Sequence, residues 1–249
     1  MWTTGKVIEK INWNAKLFSL RIQVDIGPYL AGQFIKLSQI QNDKRVARAY
    51  SIVNAPGDDF IEVLAVEVEQ GQLSPNLHQL HIGDTIEVST KASGFMTLEE
   101  IPHGPLHGDH LWLLATGTAV GPFISMLHTA EPWQRFSKVV LVYGVRLSSD
   151  LAYLDDIKSF EQKFGDQFIF IPCVTREPID DGLSCRIPDG LKNGTIEQFA
   201  KLDINAEDSQ VMICGNPGMI TGAQNELHDK GLVKNLRRTP GQITVEKYW

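Results

Sequence analysis

Near residue 101 the chain changes rhythm, and that change limits the folds open to it more than any other feature. Upstream, short segments alternate apolar and polar residues at 7–11, 17–24, 33–37, 48–53, 61–68 and 85–88. Gly27-Pro28, Gly32, Pro56-Gly57, Gly71 and Gly83-Asp84 separate them. Side chains of a strand point alternately to its two faces, so a period of two marks half-buried strands. Several such strands with turn signals predict an antiparallel barrel or sandwich. A short helix is predicted with Ser74 as its N-cap and Pro75 at the first helical position.

Downstream of the linker-like stretch 103–109, the apolar runs are solid, at 111–115, 139–143, 168–171 and 211–213. Between them lie segments of helical spacing, such as Leu151, Leu154, Ile157 and Phe160. Solid strands alternating with helices describe a parallel sheet covered on both faces. The working architecture is therefore two-domain: an antiparallel β-barrel over 1–101, then a doubly wound α/β parallel sheet over 102–249.

Charge and cysteine content narrow the function. Lys plus Arg number 23 against 30 Asp plus Glu, a formal net charge of -7, whereas nucleic-acid binders are usually basic. Cys173, Cys185 and Cys214 are too few for a disulfide framework or a four-thiolate zinc site, and Cys214 reads as a small buried hydrophobe. His103, His107, His110 and Asp109 sit in a Gly/Pro-containing linker with no regular element to set ligand geometry, so no metal is expected. The N-terminus lacks the apolar core of a signal peptide, and no run is long enough to span a bilayer. A cytoplasmic protein that contacts neither membrane nor nucleic acid is the expectation.

In open α/β sheets ligands bind beyond the carboxyl ends of the strands. The first such end reads Ala115-Thr116-Gly117-Thr118-Ala119-Val120-Gly121-Pro122, where small residues let an anion approach backbone N–H groups at a helix start. It is neither a P-loop nor a G-x-G-x-x-G fingerprint. The next ends carry Arg146 and Thr175-Arg176, with Arg186 shortly after, and arginine forks suit a phosphate such as the 2′-phosphate of a dinucleotide. Gly215-Asn216-Pro217 reads as a turn, with Asn216 the N-cap and Pro217 the first helical residue. In the first half, Arg48-Ala49-Tyr50-Ser51 places a cation, an aromatic ring and a hydroxyl on one strand, Ser51 facing away from the other two. Gly71-Gln72-Leu73-Ser74 is a second candidate phosphate cradle. Tyr248 and Trp249 end the chain, where polar residues are usual, so they are expected to cover something.

With these motifs in this order, the sequence resembles the bacterial ferredoxin (flavodoxin)–NADP+ reductases over essentially its whole length. The resemblance implies an FAD-binding barrel over 1–101 and an NADP-binding α/β domain over 102–249. It implies hydride transfer between NADP(H) and FAD, and electron exchange with a small acidic ferredoxin or flavodoxin. Arg48 would then neutralise the FAD pyrophosphate, Tyr50 pack on the flavin, and Ser51 hydrogen-bond near its reactive nitrogen. Ala49, Val66 and the 71–74 loop would line FAD, with Tyr248 and Trp249 reaching back to it and Trp249 stacking on an FAD ring. Thr116, Gly117 and Thr118 would sit where nicotinamide meets flavin, so that Tyr50, Ser51 and Thr118 flank the chemistry. Arg146, Thr175, Arg176 and Arg186, with Gly215, Asn216 and Pro217, would hold NADP. One departure is Thr221-Gly222, where the family often has an acidic residue. A monomer is expected, with Lys6, Lys10, Lys16, Lys36, Lys234, Arg237 and Arg238 as a basic rim for the carrier. Two rivals remain: the reductase component of an oxygenase system, which usually carries or accompanies an iron–sulfur domain, and a flavin-binding redox sensor, which needs no 2′-phosphate grip.

Overall fold

The computed structural model describes residues 1–247, apart from the side chain of Pro105. It divides into two compact units, one comprising Met1–Thr97 with Gly121–Thr129, the other Leu98–Val120 with the chain from Ala130 onward.

The first unit is built from β1 (Trp2–Asn12), β2 (Leu17–Gln23), β3 (Phe34–Gln41), β4 (Lys44–Ser51), β5 (Ile61–Val66), the short helix α1 (Ser74–His78) and β6 (Thr85–Ser89). The strands form one antiparallel sheet in the order β4-β3-β6-β1-β2-β5. Its two edges meet where Ile52 bridges Val63 and the Val53 N–H donates to Glu62 O at 2.8 Å. That contact closes the sheet into a barrel and removes the exposed edges. Phe18, Leu20, Ile22, Ile35, Leu37 and Val88 fill the interior from alternate positions.

Asn54 secures the closure. Its Oδ1 accepts the Glu62 N–H at 2.7 Å, and its Nδ2 donates to Phe60 O at 2.9 Å and to Asp58 Oδ2 at 3.1 Å. The helix α2 (Gly121–Leu127) belongs to this unit, and its Ser125 hydroxyl donates to Asn54 O at 2.8 Å.

In the second unit, β7 (His110–Thr116), β8 (Lys138–Val145), β9 (Phe168–Val174), β10 (Ser209–Gly215) and β11 (Ile243–Lys247) form a parallel sheet in the order β11-β10-β7-β8-β9. Between strands run α3 (Glu131–Arg135), α4 (Leu154–Phe164), α5 (Ile187–Lys192), α6 (Thr195–Ala200) and α7 (Pro217–Asp229). The solid apolar runs have a direct cause: alternate residues Trp112, Leu114, Val140, Val142, Ile171, Val211 and Ile213 pack with Ile187, Leu191, Ile196, Ala223 and Leu227 of α5–α7. The intervening Leu111, Leu113, Val139 and Leu141 are equally buried.

Four of the five parallel strands match the expected runs. β11 does not, because its five residues carry only a brief apolar alternation. The stretch 103–109 also holds more structure than a linker, since His107 packs edge-on against Phe136 and Gln210 Nε2 donates to Leu106 O. Burial pushes the His107 imidazole below its ordinary pKa, and Arg135 adds to the effect. No helix among the described residues is long and apolar enough to cross a membrane.

Replacing Asn54 by Ala leaves the buried Glu62 N–H and the half-buried Phe60 carbonyl without these partners, a loss of about 1–3 kcal/mol. The thermal unfolding midpoint should fall by several degrees. An unchanged midpoint would show that Asn54 does not hold the barrel shut.

Candidate functional site

The barrel unit carries a half-site around Arg48 and the loop before α1. Arg48 Nη2 donates to Gln72 Oε1 at 2.8 Å, joining the end of β4 to that loop, while Gln41 Nε2 holds Gln72 O at 2.7 Å. The Gly71 N–H turns back to Val68 O at 2.7 Å. A Cβ on Gly71 would stand 2.9 Å from both Val68 O and Ser74 Oγ, so only glycine fits this fold of the loop. Ser74 does not cap α1 as expected. Leu73 occupies the N-cap position, and the Ser74 hydroxyl instead accepts the Val68 N–H at 3.0 Å.

Among the described residues, the N–H groups of Gln72, Leu73 and Ser74 have no acceptor. With the exposed Arg48 guanidinium tied to Gln72, they leave open donors beside a positive charge, a combination that suits an anion. Val66 and Val68 leave apolar surface exposed beside the loop, at 39% and 54%.

Tyr50 lies opposite Ile35 in the strand ladder, and 8% of its surface is exposed. Ser51 faces away from Tyr50 by alternation yet is also buried. The reason is α2: a Cβ on Gly121 would lie 3.6 Å from Ser51 Cβ and 3.3 Å from Val53 Cγ2. Ala49 is exposed beside them.

The second half-site lies at the carboxyl edge of the parallel sheet. Strand register aligns Thr116 with Gly144, Gly144 with Cys173, and Ala115 with Cys214. Thr116 Oγ1 accepts the Asn216 N–H at 3.2 Å and Asn216 Nδ2–H at 3.4 Å. Asn216 caps α7 as expected, its Oδ1 accepting the Met219 N–H at 2.9 Å, with Pro217 opening the helix. Gly117 turns the chain out of β7 at φ +56°, a left-handed conformation that favours glycine, and the next residue, Thr118, is buried.

Arg146 and Arg176 sit on the tails of β8 and β9, which are joined by the Arg176 N–H donating to Arg146 O at 2.9 Å. Thr175 reinforces the pairing, its hydroxyl and N–H both donating to Val145 O at 3.2 and 3.1 Å. Arg186 is the N-cap residue of α5. All three arginines are exposed, and none forms an ion pair among the described residues.

The sequence reading missed a tie between the same two tails. Glu177 Oε1 accepts the Ser148 N–H at 2.6 Å and its hydroxyl at 2.5 Å, which holds the Glu177 carboxyl below the usual range. No spacing signal announces this pair, because it joins residues 29 positions apart.

Two family models match in the same order as the half-sites: an oxidoreductase FAD-binding domain over residues 5–95 and an oxidoreductase NAD-binding domain over 113–225. Curated proteins named flavodoxin/ferredoxin–NADP reductase, from Buchnera aphidicola (subspecies Baizongia pistaciae) and Escherichia coli K12, are each 41% identical over 100% of this chain and 99% of their own. The chain belongs to the flavodoxin/ferredoxin–NADP reductase family. A crystal structure of a ferredoxin NADP+ reductase from Neisseria gonorrhoeae with bound FAD and NADP is 33% identical, with a TM-score of 0.93 over 100% of this chain and 99% of that one.

Within this reductase family the departure at Gly222 has a packing cause. A Cβ there would stand 2.9 Å from Pro188 Cγ, so α7 approaches α5 closely. The residues expected to form a basic rim differ in their surroundings. Lys10 donates to His78 O and Lys16 pairs with Glu69 at 2.5 Å, leaving Lys6 and Lys36 exposed on the first unit and Lys234, Arg237 and Arg238 on the second. Tyr248 and Trp249 lie outside the described residues.

Gly215 supplies a direct test of the nucleotide half-site. A Cβ there would fall 2.2 Å from Thr116 Oγ1 and 2.7 Å from Met219 Cε. Gly215→Ala must therefore displace the Thr116–Asn216 contact, and NADP(H) affinity should fall at least tenfold with FAD content unchanged. Unaltered NADP(H) binding would remove this turn from the site.

Proposed function

We propose that the protein is an FAD-dependent oxidoreductase that moves electrons between NADP(H) and a ferredoxin or flavodoxin. The family assignment supports the reaction class. The observation that supports NADP over NAD is the trio of exposed arginines without carboxylate partners, gathered on adjacent strand tails and at the start of α5.

Bound FAD supplies the chemistry itself, taking an electron pair as hydride and releasing electrons one at a time. The chain's part is to bind, orient and exclude water. In the proposed assignment Arg48 and the N–H groups of the 71–74 loop hold the FAD pyrophosphate, and Ala49 and Val66 border the cofactor. Tyr50 and Ser51, fixed at the end of β4, face the flavin with ring and hydroxyl. Thr116, Gly117 and Thr118 shape the nicotinamide end, and Gly215, Asn216 and Pro217 present the dipole of α7 to the nucleotide's phosphates. Arg146, Thr175, Arg176 and Arg186 grip the 2′-phosphate, and Tyr248 and Trp249 are assigned to cover FAD.

The finer partner reading is a small acidic carrier, met by a cytoplasmic monomer. The exposed Lys36 and Lys6, and separately Lys234, Arg237 and Arg238, support it. Attraction between oppositely charged surfaces is screened within about 10 Å at 0.1 M salt. Carrier reduction should therefore slow steeply as ionic strength rises. A rate independent of salt would set the acidic-carrier reading aside and leave the reductase chemistry standing.

The assignment itself is tested by anaerobic mixing of the holoprotein with NADPH. The flavin absorbance should bleach and should recover on adding oxidised ferredoxin or flavodoxin. Bleaching without recovery would favour a redox sensor, and no bleaching would refute the reductase reading. Arg176→Ala should cost about tenfold to a hundredfold in kcat/KM for NADPH, the worth of an Arg–phosphate contact, and leave NADH turnover unchanged. Equal losses with both nucleotides would contradict the 2′-phosphate role.

A further inference from the structure

The three cysteines are free thiols in very different surroundings. Cys214 is sealed in the sheet, where burial pushes its thiol well above the ordinary range. Cys173 and Cys185 are twelve positions apart in sequence, yet the fold brings their thiols close enough that each shifts the other's ionisation. The chain folds back to make this contact. Leu183 bridges Cys173 in parallel, the Leu183 N–H donates to Pro172 O at 2.8 Å, and the Val174 N–H donates to Leu183 O at 2.9 Å. Cys185 follows two residues later, where the chain bends toward α5. A Cβ on Gly190 would lie 3.2 Å from Cys185 Sγ, so the start of α5 also closes over the pair.

We propose that Cys173 and Cys185 form an oxidisable dithiol which, on conversion to a disulfide by a peroxide, weakens the grip on NADP(H). The kinetic consequence rests on the assignment of Arg176 and Arg186 to the 2′-phosphate; formation of the disulfide does not. Placement supports the coupling. The segment closed by the bond carries Thr175, Arg176 and Glu177, and Cys185 directly precedes Arg186, the N-cap residue of α5.

The two thiols divide the work. Cys185 is half-buried and within reach of solvent, whereas Cys173 is fully buried. The hydrogen bond from Cys173 holds the Cys185 thiol below the ordinary cysteine range, and Thr195 acts in the same direction. The same contact, with burial, drives Cys173 up, so Cys185 is the thiolate that attacks. Its sulfur bonds to one peroxide oxygen as the O–O bond breaks, and the departing hydroxide takes up the proton that Cys185 had lost. Cys173 sulfur then attacks the resulting sulfenic acid: the S–S bond forms, the S–O bond breaks, and water leaves with the Cys173 proton. The two sulfurs give up two electrons, and one hydrogen peroxide becomes two waters.

A disulfide requires the sulfurs to close from contact to about 2.05 Å. That movement draws Cys185 toward β9, away from Thr195, and shifts Arg186 with it.

The holoprotein is treated with hydrogen peroxide, its remaining thiols are alkylated, and it is digested and mapped by mass. A peptide crosslink between Cys173 and Cys185 is expected, with Cys214 still reduced. The KM for NADPH should rise severalfold, the KM for NADH and the FAD content should hold, and a dithiol reductant should reverse the change. Cys185→Ser should form no crosslink and show no kinetic response. Cys173→Ser should accumulate a sulfenic acid at Cys185 that a dimedone probe labels. Failure to form the crosslink while Cys185 alkylates freely would overturn the proposal. A crosslink that leaves the KM for NADPH unmoved would overturn the coupling, and neither result bears on whether NADPH reduces the flavin.

Discussion

The hydroxyl of Thr116 stands where the strand order of the parallel sheet reverses. From β7 the chain steps outward through β8 and β9, then returns to the other side of β7 to lay down β10 and β11. At such a reversal the connections leave in opposite directions and open a crevice beyond the carboxyl ends of the strands. Thr116 bonds across that crevice to the backbone and side chain of Asn216, and no side chain at Gly215 fits beneath the contact. The in-line register of β7, β8 and β9 then places the tails bearing Arg146 and Arg176 along the same edge. One pairing register thus sets both the α7 N-terminus and the two arginine tails.

The barrel unit is organised by closure. The Ile52–Val63 bridge and the Asn54 hydrogen bonds bring the last residues of β4 against β5. Residues 48–51 therefore end at a fixed rim, from which Arg48 reaches Gln72. Burial of Ser51 depends on α2, a helix that follows β7 in sequence but packs with the barrel. The burial of Ser51 is thus set by a segment seventy residues downstream, and the packing of Ser125 and Gly121 supports the rim of the barrel.

Much of this was legible in the residues. The switch from a period of two to solid apolar runs separated barrel from α/β sheet, because burial on one face or two leaves different patterns. The N-cap at Asn216 was legible because side-chain capping is local. Ser74 was misassigned because α1 begins at Ser74 itself with Leu73 as its N-cap, and the Ser74 hydroxyl accepts the Val68 N–H instead. β11 escaped notice because its identity comes from pairing with β10, not from its own five residues. The Glu177–Ser148 tie, the Gln41–Gln72 bond and the Cys173–Cys185 contact all join positions that only the folded register brings together. The roles proposed for Arg48 and Tyr50 came from resemblance to a family and the phosphate reading of the three arginines from their chemistry, whereas the placement of Arg146 beside Arg176 came from the register of β8 and β9.

The claim that the carboxyl edge of the sheet reads a 2′-phosphate is open to one direct measurement. The oxidised holoprotein can be titrated calorimetrically with adenosine 2′,5′-bisphosphate and with adenosine 5′-monophosphate, which differ only in that group. The arrangement of Arg146, Arg176 and Arg186 predicts that the bisphosphate binds at least tenfold more tightly, with the difference shrinking as salt screens the contact. Equal affinities at low salt would contradict the account.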